Sequence, residues 1–176
     1  MVAVQKFSRL HPLPLHAIEP EGWLHRYLLN QRNGLTGHLE AAGFPFNTDG
    51  WAMEQFPNRG ESPLWWQWIP FEQTAYWYDG MTRCAYLLKD QFLIQKARKP
   101  IEYVLMHQDA DGYLGPKVLK SNDTPLNRWP HAVFFRALMA HHSATGDERI
   151  PRALEAHYTS DTNDHSKERE DRKSVV

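Results

Sequence analysis

Between Phe71 and Leu88 the chain carries no proline and is apolar on nearly every side of a helix, with Tyr76, Trp77, Met81, Cys84, Ala85, Leu87 and Leu88. A helix of that kind is stable only when neighbours cover it, so the segment predicts an inner helix. Lys89-Asp90 interrupts it, and Asp90 is a natural N-cap for a second helix. In that helix Phe92, Leu93, Ala97, Ile101, Val104 and Leu105 fall on one stripe, the pattern of an outer helix packed by one face. Pro100 is expected to kink or split it. The same order returns 57 residues later. Ala132 to Ser143 is apolar on most sides, Thr145-Gly146-Asp147 is a turn, and Asp147 caps a helix through Ile150, Leu154 and His157. Inner helix, tight turn, outer helix, repeated, is the arrangement of a helical toroid whose hairpins stack around an axis.

Strand signals are sparse, so the fold class is all-α with long, aromatic-rich loops. Residues 1–17, with Pro12 and Pro14, read as an extended lead-in, 18–158 as the folded domain, and 159–176 as a charged, disordered tail. Glu19-Pro20-Glu21 before Trp23, Leu24, Tyr27 and Leu28 predicts a helix start, and Gly34 a left-handed stop. A short helical turn is expected over 35–42. Residues 43–63 are expected as loop despite Trp51, Met53 and Phe56, as are residues 107–128.

Charge narrows the partners. Twenty Lys and Arg against 21 Asp and Glu give a net charge of -1, which supplies no basic field for nucleic acid or an anionic membrane. No apolar run approaches the roughly 20 residues that span a bilayer. Nothing at the N-terminus reads as a secretory signal, so a cytoplasmic location is the default expectation. The single cysteine, Cys84, can form neither an internal disulfide nor a Cys-rich zinc cage.

Several residues invite chemistry, each against a plainer use. Cys84 lies mid-helix among Met81, Ala85 and Leu88 and reads as an inert core thiol. The ten histidines contain no His-x-x-x-His or His-Glu-x-x-His pair, which disfavours chelation. Asp109-Ala110-Asp111-Gly112 begins like a calcium loop but lacks the remaining ligands, and a turn is the better reading. The cluster Trp65, Trp66, Trp68, Phe71, Tyr76, Trp77 and Tyr78 offers flat faces for sugar rings, with Glu72, Gln73 and Asp79 available for hydroxyls; core packing is the competing use. Tyr113, on a loop joining two hairpins, and His131, at the same end of the bundle as Glu72, are further candidates for substrate contact. Glu72 and Asp79 are two helical turns apart, about 10.5 Å of rise. That is long for the carboxylate pair of a glycosidase.

Gly34-Leu-Thr-Gly-His-Leu39, Tyr76-Trp-Tyr-Asp-Gly80, Ala85-Tyr-Leu-Leu-Lys-Asp90, His107-Gln-Asp-Ala-Asp-Gly-Tyr-Leu-Gly-Pro116 and Ala144-Thr-Gly-Asp147, in this order, resemble the beginning of the catalytic domain of glycoside hydrolase family 127, whose founding activity is β-L-arabinofuranosidase. The resemblance covers residues 18–158. It implies part of an (α/α)6 barrel; the substrate-contact candidates Trp66, Glu72, Gln73, Trp77, Asp79, Tyr113 and His131 rest on the residue chemistry above. It also implies retaining hydrolysis by a cysteine nucleophile held at zinc with further cysteines and glutamates. Those residues match no position here, and Cys84 is not in that motif. The chain is therefore expected to be an N-terminal portion of such an enzyme that contacts carbohydrate without a complete catalytic site, and to self-associate through exposed inner-helix faces. A non-catalytic helical module binding carbohydrate or protein, or part of another (α/α)6 enzyme such as an unsaturated-uronyl hydrolase, is the competing expectation.

Overall fold

The computed structural model describes residues 13–56, 69–120 and 128–160. Among these there is no strand, and the chain is all-α. The elements are α1 (Gly22–Asn33), α2 (Leu35–His38), α3 (Ile69–Leu88), α4 (Gln91–Met106), α5 (Lys117–Lys120), α6 (Arg128–Thr145) and a final helix, α7, over 149–160. Single 3-10 turns occupy Leu15–Ala17, Leu39–Ala42 and Gly50–Ala52. No helix among the described residues is long and apolar enough to cross a membrane.

α3 is the expected inner helix. It buries Phe71, Ala75, Trp77, Tyr78, Met81, Cys84 and Ala85, and leaves only one stripe in water. Lys89 ends it with a positive φ of 54°. Asp90 then caps α4, its Oδ1 accepting from the Leu93 N–H at 2.9 Å, while its Oδ2 meets Arg32 Nε at 3.0 Å. The second turn is built on the same plan: Asp147 Oδ1 accepts from the Arg149 N–H at 3.0 Å at the start of α7.

α3 and α6 lie side by side and run parallel, and three side-chain contacts fix their register. Near the N-terminal ends Trp129 Nε1 donates to Glu72 Oε1 at 2.9 Å. In the middle Arg136 Nη2 lies 2.8 Å from Asp79 Oδ2. Near the C-terminal ends Tyr86 Oη and His141 Nδ1 share a hydrogen bond of 2.7 Å. The first two pairs are each 57 residues apart, the spacing of the sequence repeat. Parallel helices joined through an outer helix are what two successive inner/outer hairpins produce. α4 packs on α3, and α7 lies behind α6, with Phe135 of α6 edge-on to His157 and Tyr158.

Five local expectations need correction. α1 begins at Gly22 rather than at Pro20: Glu21 is extended, at φ −127° and ψ 168°, and stands as the N-cap, while Glu19 pairs with Lys89 at 2.6 Å. Gly34 ends α1 with φ −102° and ψ −143°, not left-handed; its N–H closes onto the Asn30 carbonyl at 2.9 Å, and a Cβ there would sit 2.9 Å from that same oxygen. α4 is not split at Pro100. Proline removes one hydrogen bond, whereas Leu93, Ala97, Ile101 and Val104, on either side of it, are all buried and hold the helix in one piece. The expected loop 107–128 also contains α5, tied back by Lys120 to Asp109 at 2.8 Å and Asp111 at 2.6 Å. Of the lead-in, Leu15–Ala17 forms a turn docked on α6, the Leu15 N–H donating to Ser143 Oγ at 3.2 Å. Most of the charged tail, 161–176, lies outside the described residues.

Candidate functional site

The N-terminal halves of α3 and α6 present one continuous face to solvent. On α3 it follows Gln73, Tyr76, Gly80 and Arg83; on α6 it follows Trp129, Ala132, Arg136 and Met139. These positions recur at three- and four-residue intervals, so each set forms a single stripe, turned away from the outer helices. Trp129 is 54% exposed and Tyr76 46% exposed, although both are large rings. Each is held in place: the indole N–H of Trp129 reaches Glu72 Oε1 at 2.9 Å and Tyr76 Oη at 3.2 Å. Exposed rings fixed by polar bonds at their edges keep their faces free for a flat apolar partner.

About one turn beyond Tyr76, beneath the same face, lies Asp79, its carboxylate only 8% exposed. Arg83 Nε donates to Oδ1 at 2.8 Å, and Arg136 Nη2 pairs with Oδ2 at 2.8 Å. Both carboxylate oxygens are thus engaged by guanidinium groups. Asp79 orients the two arginines rather than offering itself to a ligand.

Beneath the N-terminal end of α6 a second cluster forms where loop 107–116 crosses α6 and α7. His131, 6% exposed, stacks on His157 with ring centroids 5.4 Å apart, and Tyr113 closes on both at 5.4 and 5.5 Å. Trp51 meets His131 edge-on and stacks flat on Phe134 at 4.0 Å. The loop is pinned by the Leu114 N–H donating to His157 Nδ1 at 3.0 Å and by Tyr113 Oη donating to the Pro116 carbonyl at 2.9 Å. Burial, followed by the charges of Asp109 and Glu54, pushes the Tyr113 phenol up, so it remains a hydrogen-bond donor.

Of the sequence-predicted site residues on α3, Gln73 lies on the solvent stripe, Glu72 at its edge, and Asp79 is buried beneath it. Tyr113 and His131 come together in the buried cluster at its N-terminal end. Trp77 is not brought to either place. Its ring is buried on the flank of α3 against Phe46 and Tyr78, and its indole N–H donates to the Thr36 carbonyl at 2.8 Å. Trp66 lies outside the described residues. Tyr76, a member of the aromatic cluster seen in the sequence, lies on the face; Trp129 and Arg136 complete it but were not singled out from the sequence. The 57-residue offset, which pairs Trp129 with Glu72 and Arg136 with Asp79, was the signal that could have found them.

Among the described residues zinc finds no fit. Cys84 is buried, its Sγ lies 3.6 Å from the Leu28 carbonyl as a donor, and burial pushes its thiol up, away from the thiolate a metal requires. No group of three or more His, Cys, Asp or Glu among the described residues is placed to hold a metal ion. The face holds two exposed rings, the Glu72 carboxylate at its rim and two arginines oriented by Asp79.

Comparison of the chain with protein-family models, with curated proteins and with solved structures finds no match.

Proposed function

We propose that the chain is part of an (α/α)6 glycoside hydrolase resembling family 127, and that it contributes a carbohydrate-binding face without the residues that break the glycosidic bond. The observation that carries this reading is the pair of parallel inner helices with Trp129, Tyr76 and Glu72 held together on their exposed face. Sugar rings have apolar faces and polar edges, and two fixed aromatic rings beside a carboxylate complement both. Two inner/outer hairpins, α3–α4 and α6–α7, correspond to two of the six that a closed barrel of this class requires. The sequence holds one cysteine, and that one is buried in packing, so the metal-held nucleophile of the family has no counterpart in it. The sugar envisaged is the arabinofuranose of plant-type polysaccharides.

The test is titration of the purified chain with arabino-oligosaccharides, followed by tryptophan fluorescence and calorimetry. Binding without release of arabinose is expected, with Trp129→Ala weakening it at least roughly tenfold, the loss of one stacking platform. Zinc-dependent release of arabinose by the chain alone would overturn the proposal, as would binding unchanged in Trp129→Ala.

A further inference from the structure

The two arginines on the same face carry a charge that a neutral sugar does not use. Arg83 and Arg136 share a single carboxylate, that of Asp79, each through one nitrogen. One positive charge is left over, and the remaining guanidinium N–H groups belong to side chains that are 43% and 60% exposed. A guanidinium fork matches a carboxylate through two parallel hydrogen bonds, and Asp79 holds both arginines in place to offer it. Between the aromatic end and the arginine end the face is low. Gly80 and Ala132 occupy it, and a Cβ built on Gly80 meets nothing within 4 Å. Both guanidinium groups are held at Asp79, three residues and about 4.5 Å of helical rise from Tyr76, so the carboxylate they take belongs to the ring stacked on the aromatic pair or to its immediate neighbour. Glu72, at the aromatic end, repels an anion there, which fixes the direction in which an acidic chain lies.

Building on the carbohydrate reading, we propose that this face binds an acidic oligosaccharide, a uronate-containing chain whose carboxylate is taken by Arg136 and Arg83 while a neighbouring ring stacks on Tyr76 and Trp129. The juxtaposition that carries this is a pair of half-exposed arginines held by one buried aspartate about one helical turn from two fixed aromatic rings on the same exposed face.

The full chain is titrated by calorimetry with an oligogalacturonate, with an arabino-oligosaccharide of equal length, and with a short polyglutamate. The variants are Arg136→Gln, Arg83→Gln and Gly80→Leu, with folding checked by circular dichroism and thermal scans. The expected result is tighter binding of the oligogalacturonate than of either other ligand. That affinity should fall roughly tenfold or more in each arginine variant, as the loss of a charged hydrogen bond implies, and should weaken with salt. Gly80→Leu, which places a side chain on the open face beside the arginines, should weaken both sugars. Equal binding of both sugars, unchanged in the arginine variants, overturns the uronate assignment and leaves the carbohydrate reading intact. Equal binding of polyglutamate overturns it as plain charge attraction, and absence of binding by either sugar overturns both readings.

Discussion

His141 couples the inner-helix pair to proton concentration. It is buried on α6, faces Tyr86 of α3, and has Asp147 and Glu102 with Arg98 and Arg149 as its charged neighbours. Burial holds its ring below the ordinary histidine range, with those charges acting in both directions. The folded state therefore keeps His141 neutral at a pH at which the unfolded chain has already bound a proton. Its contribution to stability is complete above the unfolded value of about 6.5 and is lost as pH falls from there toward the lower folded value. Denaturant midpoints measured from about pH 8 down to about pH 5 should fall more steeply for the wild type than for His141→Gln, and parallel curves would contradict this. Residues of this kind were partly legible in the sequence. Asp90 and Asp147 were readable as caps because capping is local, and Cys84 as an inert thiol because its helical neighbours are apolar. Trp51 was not readable as core. It lies in a Gly- and Asn-rich loop, and only the tertiary fold brings it flat onto Phe134, with its indole N–H donating to the Phe71 carbonyl at 2.9 Å.

Among the elements, loop 107–116 depends most on a single residue. Gly115 adopts φ +133°, a conformation that side chains rarely enter, and a Cβ there would stand 2.6 Å from His131 Nε2 and 3.3 Å from Trp51. The close approach is what allows the loop to lie over the stacked histidines. Gly115→Ala should destabilise the protein by more than about 2 kcal/mol, combining backbone strain with displacement of a buried ring. Thermal unfolding measures it, and a midpoint within the error of the wild type would exclude the assigned role. The long helices were readable because sustained periodicity is a strong signal: α3 and α4 lie close to where it put them, and α6 contains the expected 132–143 but begins four residues earlier, at Arg128. The short elements were not. α5 has four residues and is held by Lys120 reaching Asp109 and Asp111, a bond between positions that local pattern does not connect. Continuity of α4 through Pro100 was likewise decided by burial across the hairpin rather than by local propensity.

At the scale of the whole molecule the exposed face of α3 and α6 has two possible occupants, sugar and protein, and they exclude one another. Tyr76, Trp129 and Met139 are each about half exposed on that face, and Trp23 and Tyr27 of α1 are exposed elsewhere on the molecule. Aligned large apolar groups of this kind favour association when nothing covers them. The same alignment made the pairing of α3 with α6 foreseeable from the 57-residue repeat, whereas the identity of the exposed stripe was not, because a pattern apolar on most sides does not say which side lacks a neighbour. Sedimentation velocity of the chain should therefore show association that grows with concentration. Met139→Lys should shift the population toward monomer by placing a charge in the contact. Ligand bound to the face stabilises the form that leaves it open, so saturating oligosaccharide should shift the population the same way, and Trp129→Ala should blunt that response. A single species of constant sedimentation coefficient across the concentration range would remove the face from the account of self-association. Association indifferent to both Met139→Lys and oligosaccharide would move it to another surface, of which the Trp23–Tyr27 side of α1 is the next most apolar.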